Sequence, residues 1–199
     1  MSHTPRLARS LARPLARPLA RPFTAAAAVA LTVGLAGVAA PASAESTSAT
    51  DPADATASLT DIRRVTVNHG PEQVITKVRF TDLVRTSDAG PSGMTVFFDS
   101  RPGRKGPELR FDTGLQEGTD YQVTKTSGWA QSGDRLSCPA SLRLKWADDV
   151  AIVRVSRECL GDPAKVRVAV KMVDLYDGSH PVTDWLGNPR SFTSYVAAG

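Results

Sequence analysis

The chain has 199 residues, of which 41% are hydrophobic and 22% are charged, and its formal net charge at neutral pH is +4. Five arginines lie in the first 44 residues, and setting them aside reduces the 24 Lys and Arg to 19, against 20 Asp and Glu. Because this remainder has no surplus of cations, we expect no nucleic-acid partner and no attraction to an anionic membrane surface.

Residues 1–44 have the pattern of a signal peptide. Basic Leu-Ala-Arg tetrads precede an uncharged apolar stretch from about Phe23 to Ala40, and small residues stand at Ala42 and Ala44. Small residues at these two positions fit the cleavage site of a signal peptidase. We therefore expect cleavage after Ala44, an extracellular product of the general export route and no stable membrane insertion afterwards. An uncleaved membrane anchor is the alternative.

The polar composition of residues 45–58, mostly Ser, Thr, Ala, Asp and Pro, predicts a flexible arm. Residues 59–199 have a suitable length for one domain that buries its own core without metals or many disulfides. We expect this domain to be a monomer.

Three aspartates in or beside the arm, Asp51, Asp54 and Asp61, are candidate calcium ligands. Calcium prefers carboxylate and carbonyl oxygens in loops, and an exported protein meets calcium at high concentration. Their spacing is not that of an EF-hand, so a solvated acidic arm is the alternative. Apart from calcium we expect no cofactor.

The segment Asp51-Pro52-Ala53-Asp54 followed by Asp61-Ile62 resembles the start of DOMON-like sandwiches related to family 9 carbohydrate-binding modules. The resemblance covers roughly Asp51 to Asp99, with Ala53 where a glycine is often found. It implies a β-sandwich whose extended sheet carries a sugar or haem site. The chain also resembles small secreted β proteins of high-GC Gram-positive bacteria.

Hydrophobic residues alternate with polar ones almost throughout residues 59–199, which is the period of half-buried strands. In Lys165–Val173, for example, Val166, Val168, Val170 and Met172 fall on one face. Turn residues rich in Gly, Pro and Asp separate these segments at short intervals. The pattern predicts an all-β fold, an antiparallel β-sandwich of the jelly-roll or immunoglobulin-like kind with about eight or nine strands.

A hairpin is predicted where two alternating runs meet at Asp148-Asp149. Cys138 and Cys159 lie at its outer ends, so the hairpin brings them together. In an oxidising compartment we expect a disulfide that contributes roughly 3 kcal/mol to stability. A reactive thiol and half of a metal site are the alternatives.

Five residues are candidates for ligand binding. Trp129 and Trp185 lie in loop or strand-end settings, and an indole ring can stack on the apolar face of a sugar. Arg101, Arg104 and Lys105 form a cationic loop that could bind an anionic wall polymer. Structural packing of the tryptophans and a solvated loop are the alternatives.

Motifs of serine hydrolases, zinc proteases and phosphate-binding loops are absent from the sequence, and we predict no catalytic residue. His69 is interpreted as a solvated turn residue. We expect a binding domain that acts without chemistry on an extracellular glycan or a cell-envelope component. The alternatives are a secreted hydrolase with an unrecognised carboxylate or histidine site, and a protein-binding factor such as a protease inhibitor.

Overall fold

The computed structural model describes residues 44–88, 90–175 and 180–199, so the predicted signal segment lies outside the described residues apart from Ala44. The described chain is all-β and contains no α-helix. Two single 3-10 turns occur at Trp146–Asp148 and Glu158–Leu160. The strands are β1 (Glu45–Thr50), β2 (Ile62–His69), β3 (Gln73–Phe80), β4 (Ser92–Asp99), β5 (Leu109–Gly114), β6 (Tyr121–Ser127), β7 (Ala130–Arg135), β8 (Ala140–Lys145), β9 (Val150–Ser156), β10 (Lys165–Asp174), β11 (Val182–Trp185) and β12 (Val196–Ala197).

The strands form two antiparallel sheets. The smaller sheet has the order β1-β2-β3-β9-β8, and the larger sheet has the order β11-β10-β4-β5-β6-β7, with β12 paired to β10. The inner faces of both sheets meet in one hydrophobic core. The predicted antiparallel β-sandwich is therefore confirmed.

The core is built by the alternating side chains that the sequence pattern identified. Val166, Val168, Val170 and Met172 of β10 are fully buried, as predicted for one face of that strand. Valines of the smaller sheet pack against them from the opposite side. Each such side chain contributes about 1.5–3 kcal/mol when it is fully buried, so this layer supplies much of the stability.

The structure differs from the expectation of a flexible arm at residues 45–58. Residues 45–50 form β1, which pairs along its whole length with β2. The next residues close one end of the sandwich, where Ser58 Oγ donates a 2.6 Å hydrogen bond to Asp174 of β10. The polar composition of this segment does not reveal β1, because an edge strand is stabilised by backbone hydrogen bonds and needs few apolar side chains.

Twelve strands are present among the described residues, where eight or nine were expected. The additional strands lack an apolar face. All six residues of β7 are exposed, and β12 has only two residues. Since alternation is the main sequence signal for a strand, such edge strands give no signal.

The predicted hairpin and disulfide are both confirmed. Strands β8 and β9 pair from Ala140–Val155 to Lys145–Val150. Their connection is the 3-10 turn that ends at Asp149, whose φ of 56° is left-handed. Cys138 and Cys159 are disulfide-bonded, with their Cα atoms 5.7 Å apart.

Replacing both cysteines by serine should lower the free energy of unfolding by roughly 3 kcal/mol, because the unfolded chain regains the entropy of the open loop. For a domain of this size that corresponds to a melting temperature about 6–12 °C lower. Differential scanning calorimetry of the double variant measures the shift, and the double substitution avoids a lone thiol. An unchanged melting temperature would show that the hairpin holds its ends without the covalent bond.

Candidate aromatic binding surface and acidic cluster

Four aromatic side chains form one cluster on the outer face of the larger sheet. We call Phe97, Trp129, Trp185 and Phe192 the aromatic platform. Phe97 alternates with core residues on β4 and so points outward, yet only 3% of its surface is exposed. Its ring centroid lies 5.0 Å from that of Trp129 and 5.7 Å from that of Trp185. The two tryptophan centroids are 5.7 Å apart, so the structure brings both predicted ligand residues together.

Different elements carry the two tryptophans to this place. Trp185 ends β11 and is the register partner of Lys171 on β10, so both lie on the outer face. Trp129 lies in the turn between β6 and β7, directly after Gly128. Gly128 has a φ of 60°, a left-handed conformation that glycine adopts without strain. Both tryptophans are half-buried.

Cationic side chains surround the platform. The Lys171 ammonium lies 5.8 Å from the centre of the Trp185 ring, and the Arg167 guanidinium lies 4.5 Å from the centre of the Phe192 ring. The guanidinium of Arg110 lies 5.6 Å from the centre of the Phe97 ring. Such contacts are favourable because the face of an aromatic ring carries partial negative charge.

A polar groove borders the platform on the same face and has a volume of about 420 Å³. Its floor includes one row of register partners, Lys171, Thr95, Asp112 and Gln122, which we call the polar row. Thr95 Oγ1 donates a 2.7 Å hydrogen bond to Asp112. Lys171 connects the polar row to Trp185. Aromatic and hydrogen-bonding groups are therefore continuous across the face.

Two cationic side chains of the loop at residues 101–106 line a different cavity. Arg101, Arg104 and Lys105 are exposed in the connection between β4 and β5. Arg101 and Arg104 line a separate cavity of about 500 Å³ at the end of the sandwich, beside Cys159. The structure does not bring these three residues into the aromatic platform.

The three predicted calcium ligands come together, and a fourth carboxylate joins them. Asp51, Asp54, Asp61 and Asp184 each contribute one carboxylate oxygen, and these oxygens all lie within 4.8 Å of one another. We call these residues the acidic cluster. Asp54 is exposed, whereas the other three are no more than 5% exposed.

Each buried carboxylate of the acidic cluster accepts a backbone hydrogen bond. The donors are the N–H groups of Gly187 for Asp51, of Ala55 for Asp61 at 3.0 Å, and of Ile62 for Asp184 at 2.7 Å. Arg63 lies 3.3 Å from Asp61 and is the cation paired with the cluster among the described residues. The described residues therefore provide one ion-pair partner, bound to Asp61, for a cluster of four carboxylates.

Burial and mutual repulsion disturb the protonation of this cluster. Burial raises the pKa of Asp184 to about 6; the hydrogen bond from Ile62 opposes this, and the charges of the other three aspartates add to it. Burial likewise raises the pKa of Asp51, whereas the Gly187 hydrogen bond and Arg63 lower it. A buried carboxylate among like charges is harder to ionise.

Sequence reasoning missed Asp184, Phe97 and Phe192. Asp184 immediately precedes the predicted ligand Trp185, and strand alternation places these two side chains on opposite faces. Its position beside a candidate tryptophan was the available signal. Phe97 and Phe192 gave none, since only the tertiary structure places their rings beside the tryptophans.

His69 and Trp146 lie outside both sites. The interpretation of His69 as a solvated turn residue is wrong, because His69 ends β2 and is fully buried. Its Nδ1 lies 3.1 Å from the carbonyl oxygen of Val196, and burial lowers the pKa of the ring. Trp146 packs against the core and donates a 3.2 Å hydrogen bond to the carbonyl of Leu115.

Comparison with known proteins assigns no family. The chain matches no protein-family model, no curated protein and no solved structure. Among the described residues, no helix has the length and apolar character needed to cross a membrane.

The raised pKa of Asp184 predicts a pH-dependent stability of the metal-free protein. In the folded state its pKa is about 6, against an ordinary value of 3.8 for an aspartate carboxyl group. The folded protein therefore binds the Asp184 proton more tightly than the unfolded protein does. The stabilisation that comes from this proton is lost as the pH rises through 6. Between pH 4.5 and 7 this one group should remove about 2 kcal/mol of unfolding free energy.

The measurement is urea unfolding in chelator at several pH values, on the natural protein and on Asp184→Asn. The asparagine can still accept the hydrogen bond from Ile62 but does not titrate. His69 contributes in the opposite direction, because its pKa is lowered on folding and the folded protein therefore loses stability below the pKa of the unfolded state. This contribution is the same in both proteins and cancels in their difference. Parallel stability profiles would contradict the assignment.

Proposed function

We propose that the protein is a secreted, non-catalytic binding domain that recognises an extracellular or cell-envelope glycan through the aromatic platform. The observation that carries this proposal is the position of Trp129 and Trp185. Both lie half-buried on the solvent side of the larger sheet, beside a polar groove. Export of the protein, which the first 44 residues predict, would place this surface where such glycans occur.

Aromatic side chains on the outer face of a sheet need a physical reason. The outer face of an antiparallel sheet is normally polar, because one face packs on the core and the other meets water. Large apolar groups gathered on a solvent-facing surface often mark a binding site. In the platform the buried ring of Phe97 packs against both tryptophans, and Phe192 packs against Trp129.

The neighbouring polar groups suit a sugar ligand. A pyranose ring has an apolar C–H face and an equatorial belt of hydroxyl groups, so its site needs aromatic rings and hydrogen-bonding groups side by side. The polar row supplies an ammonium, a hydroxyl, a carboxylate and an amide in direct continuation of Trp185. The groove volume of about 420 Å³ lies within the range of ligand clefts.

Replacing Trp185 or Trp129 by alanine should weaken glycan binding about tenfold or more, because the stacking surface is lost. The measurement is retention of the purified protein on a panel of insoluble polysaccharides and on purified cell wall. Trp129→Phe keeps a flat ring and should retain most of the binding.

Trp146→Phe is the matched control, because Trp146 packs against the core away from the platform. It should bind like the natural protein. If Trp129→Ala and Trp185→Ala were retained as well as the natural protein, the platform would not be the binding site. Release of soluble sugars from a retained polysaccharide would instead favour the secreted hydrolase, and retention on no matrix would favour a protein partner.

A further inference from the structure

The acidic cluster has the dimensions of a cation site. Two ligand oxygens on opposite sides of one calcium ion lie about 4.6–5.2 Å apart, because each Ca–O distance is about 2.3–2.6 Å. The four carboxylate oxygens of Asp51, Asp54, Asp61 and Asp184 lie within 4.8 Å of one another. The separations of these oxygens therefore match the size of a site for one ion.

A second, independent observation points to a ligand. Asp51 is 5% exposed, and its Oδ2 atom is buried without a hydrogen-bond partner among the described residues. Its other oxygen accepts a hydrogen bond from Gly187. Leaving a charged oxygen buried and unpaired is costly. A cation within the cluster would provide the missing partner.

The shortage of cationic partners around the acidic cluster also points to a bound cation. Arg63 pairs only with Asp61, and the remaining three carboxylates have no cationic partner among the described residues. Buried charges in proteins are normally paired or coordinate a metal. A divalent cation would neutralise two of the negative charges that Arg63 leaves uncompensated.

We propose that Asp51, Asp54, Asp61 and Asp184 bind one calcium ion. The four side chains offer only hard oxygen ligands, which suit calcium and magnesium rather than zinc or copper. Calcium accepts six to eight oxygens in irregular geometry, whereas magnesium requires a near-ideal octahedron and keeps several waters. Four carboxylates from two separate segments, the connection between β1 and β2 and strand β11, form a site of the irregular kind.

The ion would join the two sheets. Asp51 and Asp54 lie between β1 and β2, Asp61 directly precedes β2 of the smaller sheet, and Asp184 lies on β11 of the larger sheet. A cavity of about 280 Å³ lined by Asp54 and Asp184 gives access from solvent. The site therefore acts as a stabilising cross-link between the sheets.

Calcium at 10 mM should raise the melting temperature of the purified protein by about 3–10 °C over the value in EDTA, for a dissociation constant of about 0.1–1 mM. Magnesium at the same concentration should raise it less. Isothermal titration with calcium should give one site per chain. Identical melting curves in calcium and EDTA would overturn the proposal.

Asp54→Asn is the informative variant because Asp54 is exposed and makes no hydrogen bond among the described residues, so its loss leaves the fold intact. It should bind calcium at least tenfold more weakly and lose most of the calcium-dependent shift. In EDTA it should melt at the same temperature or higher, since one repelling charge is gone. A residue needed only for structure would lower the melting temperature in both conditions.

Asp134→Asn is the matched control, with the same change of charge on the exposed strand β7. It should keep the full calcium-dependent shift. Equal loss of the shift in Asp54→Asn and Asp134→Asn would attribute the effect to net charge and overturn the proposed site.

One consequence rests on the proposed glycan-binding function. Trp185 directly follows Asp184, and Gly187, which donates to Asp51, comes two residues later. A bound ion would hold this segment, so retention on the bound polysaccharide should fall several-fold in EDTA. Equal retention in calcium and EDTA would overturn this coupling. If no polysaccharide retains the protein while calcium still raises the melting temperature, the glycan proposal fails and the calcium site stands.

Discussion

The pairing of β11 with β10 is the constraint on which both candidate sites depend. Asp184 pairs with the core residue Met172, and Trp185 pairs with the outward-facing Lys171. Consecutive residues of a strand point to opposite faces, so the register directs the carboxylate inward and the indole outward. A slip of one residue would exchange them, placing an indole in the acidic cluster and a carboxylate on the aromatic platform. One short edge strand therefore positions both sites.

The interior of the sandwich tolerates the acidic cluster only through local compensation. Backbone hydrogen bonds to Asp51, Asp61 and Asp184 replace part of the water that burial removes. They do not cancel the cost of burying the charge, to which repulsion between the carboxylates adds, and the pKa of Asp184 is therefore raised to about 6. Without a cation, protonation of Asp184 relieves part of this charge as the pH falls below about 6. The balance between a proton and a cation is thus set by the geometry of the segment that closes this end of the sandwich.

The sequence was informative where side-chain pattern determines structure. Alternation in β10 identified the buried valines, and the hairpin between Cys138 and Cys159 identified the disulfide. Asp51, Asp54 and Asp61 could be grouped because they are close in the chain. Asp184 could not, because it is more than a hundred residues away and joins them only through sheet packing. The strand at residues 45–50 escaped notice because backbone pairing, rather than side-chain burial, holds an edge strand.

The two outer faces of the sandwich offer different chemistry, and the difference favours the larger sheet as the specific surface. The outer face of the smaller sheet presents exposed cations such as Lys77, Arg79 and Arg143 and, among the described strand residues, no Phe, Tyr or Trp side chain, since Phe80 of β3 is buried in the core. Exposed cations act through a field that salt screens and that carries little information about ligand shape. On the larger sheet Phe97 packs against Trp129 and Trp185, and stacking on such rings depends on the shape of the partner. The sugar recognition that we propose would depend on these packed rings, whereas the basic face can contribute only general attraction to anionic polymers.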